Sequence, residues 1–115
     1  MEITKVAVVT FDGISLLPRY FNLSCPFPVS SVEVSLMPEV ELKNDADKVV
    51  AVTSSLVDNE CVGIVPCSHI GHGQFQSRFQ RFTFSQPKNI QGLYSVSTDD
   101  VLLKGRVYVI VIMKQ

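Results

Sequence analysis

The 115-residue sequence predicts an all-β fold, an antiparallel β-sandwich or a jelly-roll-like barrel. Three observations carry that expectation. Val32, Val34 and Leu36 alternate with Glu33 and Ser35, and Val40 and Leu42 alternate with Glu39 and Glu41, which is the period-2 mark of a half-buried strand. The chain closes on Leu-Leu-Lys-Gly-Arg-Val-Tyr-Val-Ile-Val-Ile-Met, residues 102–113, whose last seven positions hold no charge, Gly or Pro. No segment shows the i, i+3, i+4, i+7 spacing of an amphipathic helix over two turns, whereas Gly, Pro, Asn and Asp punctuate the chain at short intervals.

The C-terminal run is the expected organising strand. It is too short to span a bilayer as a helix, which takes about 20 apolar residues. Its two parities, Val107/Val109/Val111 and Tyr108/Ile110/Ile112, are both apolar, so it asks for cover on both faces. At an exposed edge it would template aggregation. Tyr108, Ile110 and Ile112 are the candidate interface residues, should that face be covered by a second subunit.

Upstream, residues 3–11 are rich in β-branched side chains and read as a strand, closed by a turn at Asp12-Gly13. Residues 14–17 read as the start of another strand that Pro18 stops. Residues 19–23 read as a short edge strand. Cys25-Pro-Phe-Pro28 breaks regular structure, with Phe27 plugging the core. A strand over 32–36 is expected to stop at Pro38 and a second to run from 39 to 43. After a polar turn at 44–48, residues 48–56 read as a strand, 58–60 as a turn and 61–65 as a short apolar stretch. Residues 66–74, with Gly71 and Gly73, read as a flexible surface loop. In 75–84, Phe75 and Phe79 share one parity and Phe82 and Phe84 the other, so a bulge near Gln80 is expected to turn all four inward. Pro87 and Gly92 bound a loop, 93–96 form a short strand and Asp99-Asp100 turn into the last one.

Length and absence of linkers or repeats predict one domain over 1–115. A hydrophobic content of 46% against 18% charged residues is that of a globular chain. A net charge of −1 excludes a whole-protein field that would gather nucleic acid or anionic membrane. Three cysteines, Cys25, Cys61 and Cys67, without a close C-x-x-C pair argue against a disulfide scaffold. The N-terminus has no basic region leading into an apolar one, so no signal peptide is expected, and the expected setting is intracellular or a virion assembled there.

Two constellations carry candidate chemistry. Cys61, Cys67, His69 and His72 are zinc-type ligands, but C-x5-C-x-H-x2-H is no common finger spacing, and buried thiols beside loop histidines are the plainer explanation. Arg78 and Arg81, interleaved with phenylalanines, suit an OB-like barrel that stacks and pairs with single-stranded nucleic acid, although phenylalanines on a strand more often face a core. G-x-S-x-G, G-x-x-x-x-G-K-[ST] and G-x-G-x-x-G are all absent from the sequence, so no nucleophile elbow or nucleotide loop is expected and no cofactor is called for.

The second half resembles the closing half of small jelly-roll or β-sandwich proteins of virus particles. Thr53-Ser-Ser-Leu-Val-Asp-Asn-Glu-Cys-Val-Gly63 resembles strand, turn and strand before a long loop. Phe82-Thr-Phe-Ser-Gln-Pro87 resembles an aromatic strand ending at a proline. Residues 93–100, followed by 103–112, resemble two strands and a buried last strand. The resemblance implies a structural, self-associating protein without catalytic residues. The leading expectation is therefore a structural or protein-interaction domain with a protein partner or further copies of itself. The alternatives are the OB-like nucleic-acid binder and a small enzyme or metal protein using the Cys67–His72 loop.

Overall fold

The computed structural model describes the backbone of residues 1–42, 51–56, 67–71, 74–75, 78–98 and 102–115, and every regular element within them is a β-strand. In chain order these are β1 (Glu2–Asp12), β2 (Arg19–Ser24), β3 (Val29–Leu42), β4 (Ala51–Leu56), β5 (Cys67–Gly71), β6 (Gln74–Phe75), β7 (Arg78–Lys88), β8 (Gln91–Thr98) and β9 (Leu103–Lys114). One sheet has the order β1-β9-β3-β7 and the other β2-β8-β4-β5-β6, and every pairing is antiparallel. The chain changes sheet at each step except β4–β5–β6. That alternation, with β6 as a two-residue arm on β5, is the strand order of a jelly roll.

β9 lies inside its sheet, paired with β1 from Lys104 to Lys114 and with β3 from Leu103 to Lys114. Its odd positions Val107, Val109, Val111 and Met113 are all buried. They meet Val9, Phe11, Val32, Val34 and Leu36 from their own sheet and Leu23, Tyr94 and Val96 from the other. Phe27 plugs this core as its flanking prolines predict, and the edge position expected for residues 19–23 is that of β2. Phe21 and Tyr94 stack with ring centroids 5.7 Å apart, tying β2 to β8.

Several expectations need correction. Residues 14–17 form no strand: Asp12 Oδ1 accepts the N–H groups of Ile14 (2.8 Å) and Ser15 (3.1 Å), and Gly13 sits at φ 77°, so the chain turns instead of pairing. Pro38 does not interrupt β3. The described pairing of β3 with β7 ends at Leu36, and at Pro38 its described partner is Val107 of β9, so no described ladder bond on the β7 flank calls for the N–H that proline lacks. Residues 67–71 are a strand where a flexible loop was expected. The ladder from Arg78 to Thr83 is unbroken and the irregularity falls between Val29 and Ser31, so Phe82 and Phe84 pack on the core while Phe79 stays exposed. Strands β7 and β8 run through Pro87 and Gly92 and leave only Asn89 and Ile90 between them. The expected turns at 44–48, 58–60 and 99–100 and the stretch 61–65 lie outside the described residues.

One expectation about β9 divides. The Val107/Val109/Val111 face is buried as expected, whereas Tyr108, Ile110 and Ile112 are only half-covered. The two parities therefore answer differently to charge. Val109→Asp places a lone carboxylate in the core and is expected to cost about 3–5 kcal/mol, a large part of the stability of a small domain. Ile110→Asp is expected to keep a cooperative thermal transition within a few degrees of the parent, as circular dichroism would record.

Candidate interaction surface

Cross-strand register assembles the outer face of the first sheet. Val6, Ile110, Ser35 and Phe79 form one row across β1, β9, β3 and β7. Val8, Tyr108 and Met37 form the next. Val6 is 63% exposed, Phe79 58%, Val8 49% and Met37 39%, so an apolar stripe crosses the sheet in contact with water. Neither row contains a charge. Tyr108, Ile110 and Ile112 share this outer face, Ile112 one row beyond the stripe, and Val6, Val8, Met37 and Phe79, which sequence reasoning assigned to no surface, lie on it too. The available signal was parity: these side chains fall on the positions opposite those of Val9, Val34 and Val109.

Charges border the stripe. Towards one end Thr10, Arg106 and Glu39 lie in register. Towards the other, Thr4, Ile112, Glu33 and Arg81 share a row. Glu33 is buried although it sits at an outward position, because two long cations fold over it. Its Oε1 accepts from Arg81 Nε at 2.9 Å and lies 2.6 Å from Arg81 Nη2. Lys114 Nζ donates to the same oxygen at 3.1 Å and stands 3.8 Å from Glu2. The hydrogen bonds from Lys114 and then Arg81 hold the Glu33 carboxyl below its ordinary range, outweighing the opposite effect of desolvation.

The other predicted residues fall elsewhere. Arg81 is more than half exposed, but its guanidinium is engaged by Glu33. Arg78 pairs with Leu36, three positions from Arg81 along an unbroken ladder, so β7 gives the two arginines opposite parities. Cys67 and His69 stand two apart on β5, whose extended backbone places them at one parity, while Cys61 and His72 lie outside the described residues. Cys25 is a free thiol packed against the core. Clefts lined by described residues include two that each hold one ionisable group. The larger, about 680 Å³, is lined by residues 83–89 with Lys88 as its ionisable group. The smaller, about 330 Å³, runs between β1 and β2 beside Lys5. A single ammonium in each supplies no acid–base pair.

Strand order and register together define the chain as a jelly-roll protein, and among the described residues it carries an apolar sheet face. No protein-family model matches the sequence, and no curated protein matches it either. Among solved structures, the crystal structure of the STIV MCP, a major capsid protein, is similar over 100% of this chain, with a TM-score of 0.45 and 9% identity. This chain covers 49% of that one. Among the described residues no helix is long and apolar enough to cross a membrane.

The ion cluster has a pH signature. Because the Glu33 pKa is depressed in the fold, its contribution to stability is complete above the ordinary carboxylate value of 4.5 and is lost as the pH falls through the depressed one. Thermal unfolding followed from neutral to strongly acidic pH should show Tm falling below that value, and Glu33→Gln should lower Tm at neutral pH and flatten that acid limb.

Proposed function

We propose that residues 1–115 act as one structural β-domain that associates with further copies of itself through the outer face of the β1-β9-β3-β7 sheet, as a component of a virion or a comparable protein assembly. The observation that carries this reading is the uncharged apolar stripe through Val6, Ile110 and Phe79, bordered by charged residues. Apolar centres with polar rims are the composition of protein interfaces. The virion setting rests on analogy of fold, since jelly rolls serve in capsids and also in lectins and cupins.

Size sets the strength of the association. Two cross-strand rows over three to four strands cover about 250 Å². That is about a third of the roughly 800 Å² each partner contributes to a stable interface. A single contact is therefore weak, and a durable particle draws on several contacts per copy. The nucleic-acid alternative gains nothing from Arg81, whose charge Glu33 already compensates.

Sedimentation velocity over a range of concentrations tests the proposal. The parent should show reversible, concentration-dependent growth in mass. Ile110→Asp should remain folded and raise the dissociation constant roughly 30-fold, the effect of losing a contact worth about 2 kcal/mol. An Ile110→Asp variant that associates like the parent would remove this face from the interface.

A further inference from the structure

The turn between β1 and β2 carries a second exposed apolar surface. Ile14 is 82% exposed, Leu17 71% and Leu16 49%. Three large aliphatic side chains in water on one short turn are unusual for a connection that has only to reverse the chain. The turn is also held in a single shape. Asp12 Oδ1 caps the N–H groups of Ile14 and Ser15, Ser15 Oγ accepts the Leu17 N–H at 3.1 Å, and Pro18 restricts the exit. Arg19 then buckles the two stems together. Its Nε donates to Thr10 O on β1 at 2.8 Å, and its Nη1 donates to Leu17 O within the turn at 2.7 Å. Its guanidinium carbon lies 5.1 Å from the centre of the Phe11 ring, and Nη2 stands 3.5 Å from Asp12 Oδ1. The tip is thus preorganised, so binding through it loses little conformational entropy. The acid and base beneath it neutralise each other, so docking buries no unpaired charge.

We infer that this tip is a docking knob, and that its receptor is the apolar outer face of the β1-β9-β3-β7 sheet on a second copy of the chain. The inference rests on the self-association proposed above and specifies its geometry. Among the described residues, each copy presents a small apolar tip and an apolar sheet face. A face-to-face dimer would cover the sheet faces and leave every knob in water. A knob-on-face contact covers both kinds at once. It also matches charge, because the central rows of the face are as neutral as the tip. The area argument points the same way: a stripe of about 250 Å² is small for a self-contained dimer but suits a three-residue knob. Such a contact is heterologous. It repeats from copy to copy and builds a ring or an open chain, not a closed pair.

Complementation of two defective variants tests this. Ile14→Ser with Leu17→Ser removes the knob and leaves the face. Val6→Lys with Phe79→Lys disables the face and leaves the knob. All four positions are exposed, and circular dichroism verifies folding; Val8→Lys with Met37→Lys replaces the face variant if it does not fold. In sedimentation velocity and native mass spectrometry the parent should form species larger than a dimer. Each variant alone should associate at least tenfold more weakly. The two variants mixed in equal amounts should give a heterodimer, one copy of each, and nothing larger. A knob variant that assembles like the parent overturns the knob while leaving self-association standing, as does a mixture that stays monomeric although both variants fold. A parent that is monomeric at every concentration overturns both, whether or not its knob then proves to bind phosphatidylcholine vesicles.

Discussion

Val107, Val109, Val111 and Met113 on β9 are the side chains on which the two sheets close, and β9 can present them only because strands flank it on both sides along nearly its whole length. A strand inside a sheet has its backbone groups satisfied by its neighbours, so its side chains are free to be apolar at every position. The inward parity removes about 1.5–3 kcal/mol per large aliphatic side chain from contact with water. It also dictates the registers of β1 and β3, since a slip of one residue would turn Val9, Phe11, Val32 and Leu36 away from the core. The second sheet answers with Leu23, Tyr94 and Val96.

The same strand generates the surface. Period-2 geometry sends Tyr108, Ile110 and Ile112 to the other side of the sheet, where they are half-covered and no second layer among the described residues lies over them. An apolar outer face beside an open edge is an aggregation hazard unless it is managed. β1 is that edge. Its odd residues face β9, as the bond from Gln115 N–H to Met1 O shows, and its even residues turn their backbone groups outward, where Thr10 O is taken by Arg19. Lys5 stands at an inward parity on this edge, a charge that opposes the simple addition of another strand. The edge is thus guarded while the face beside it is left apolar, an arrangement that favours contact through side chains over contact through backbone.

The last strand, the Asp12-Gly13 turn, the alternation of Val32, Val34 and Leu36 and the plug at Phe27 were all legible in the sequence, because each depends on a local rule of parity or of φ. What was not legible depended on the neighbours. Pro38 reads as a breaker until it is known that its described partner is Val107 on β9 and that the described pairing with β7 ends at Leu36. The residues from Ile14 to Leu17 read as a strand because they are apolar, and only the capping by Asp12 and the clamp by Arg19 make them a turn. Glu33 follows the outward parity and is nevertheless buried, because Arg81 and Lys114, 48 and 81 positions away, converge on it. The candidate interface was legible in its β9 members alone, since Val6, Met37 and Phe79 reach it through long-range pairing.

Amide hydrogen exchange tests the central role of β9 most directly. In a strand flanked on both sides and closing the core, the amides of Val107, Val109 and Val111 exchange only when the whole fold opens, and they should be among the slowest in the protein, together with those of the facing part of β3. The outward-facing amides of Thr4, Val6 and Val8 on the open edge of β1 should exchange orders of magnitude faster. Rates for β9 as fast as those of the β1 edge would contradict the account, for the fold would then be held together somewhere else.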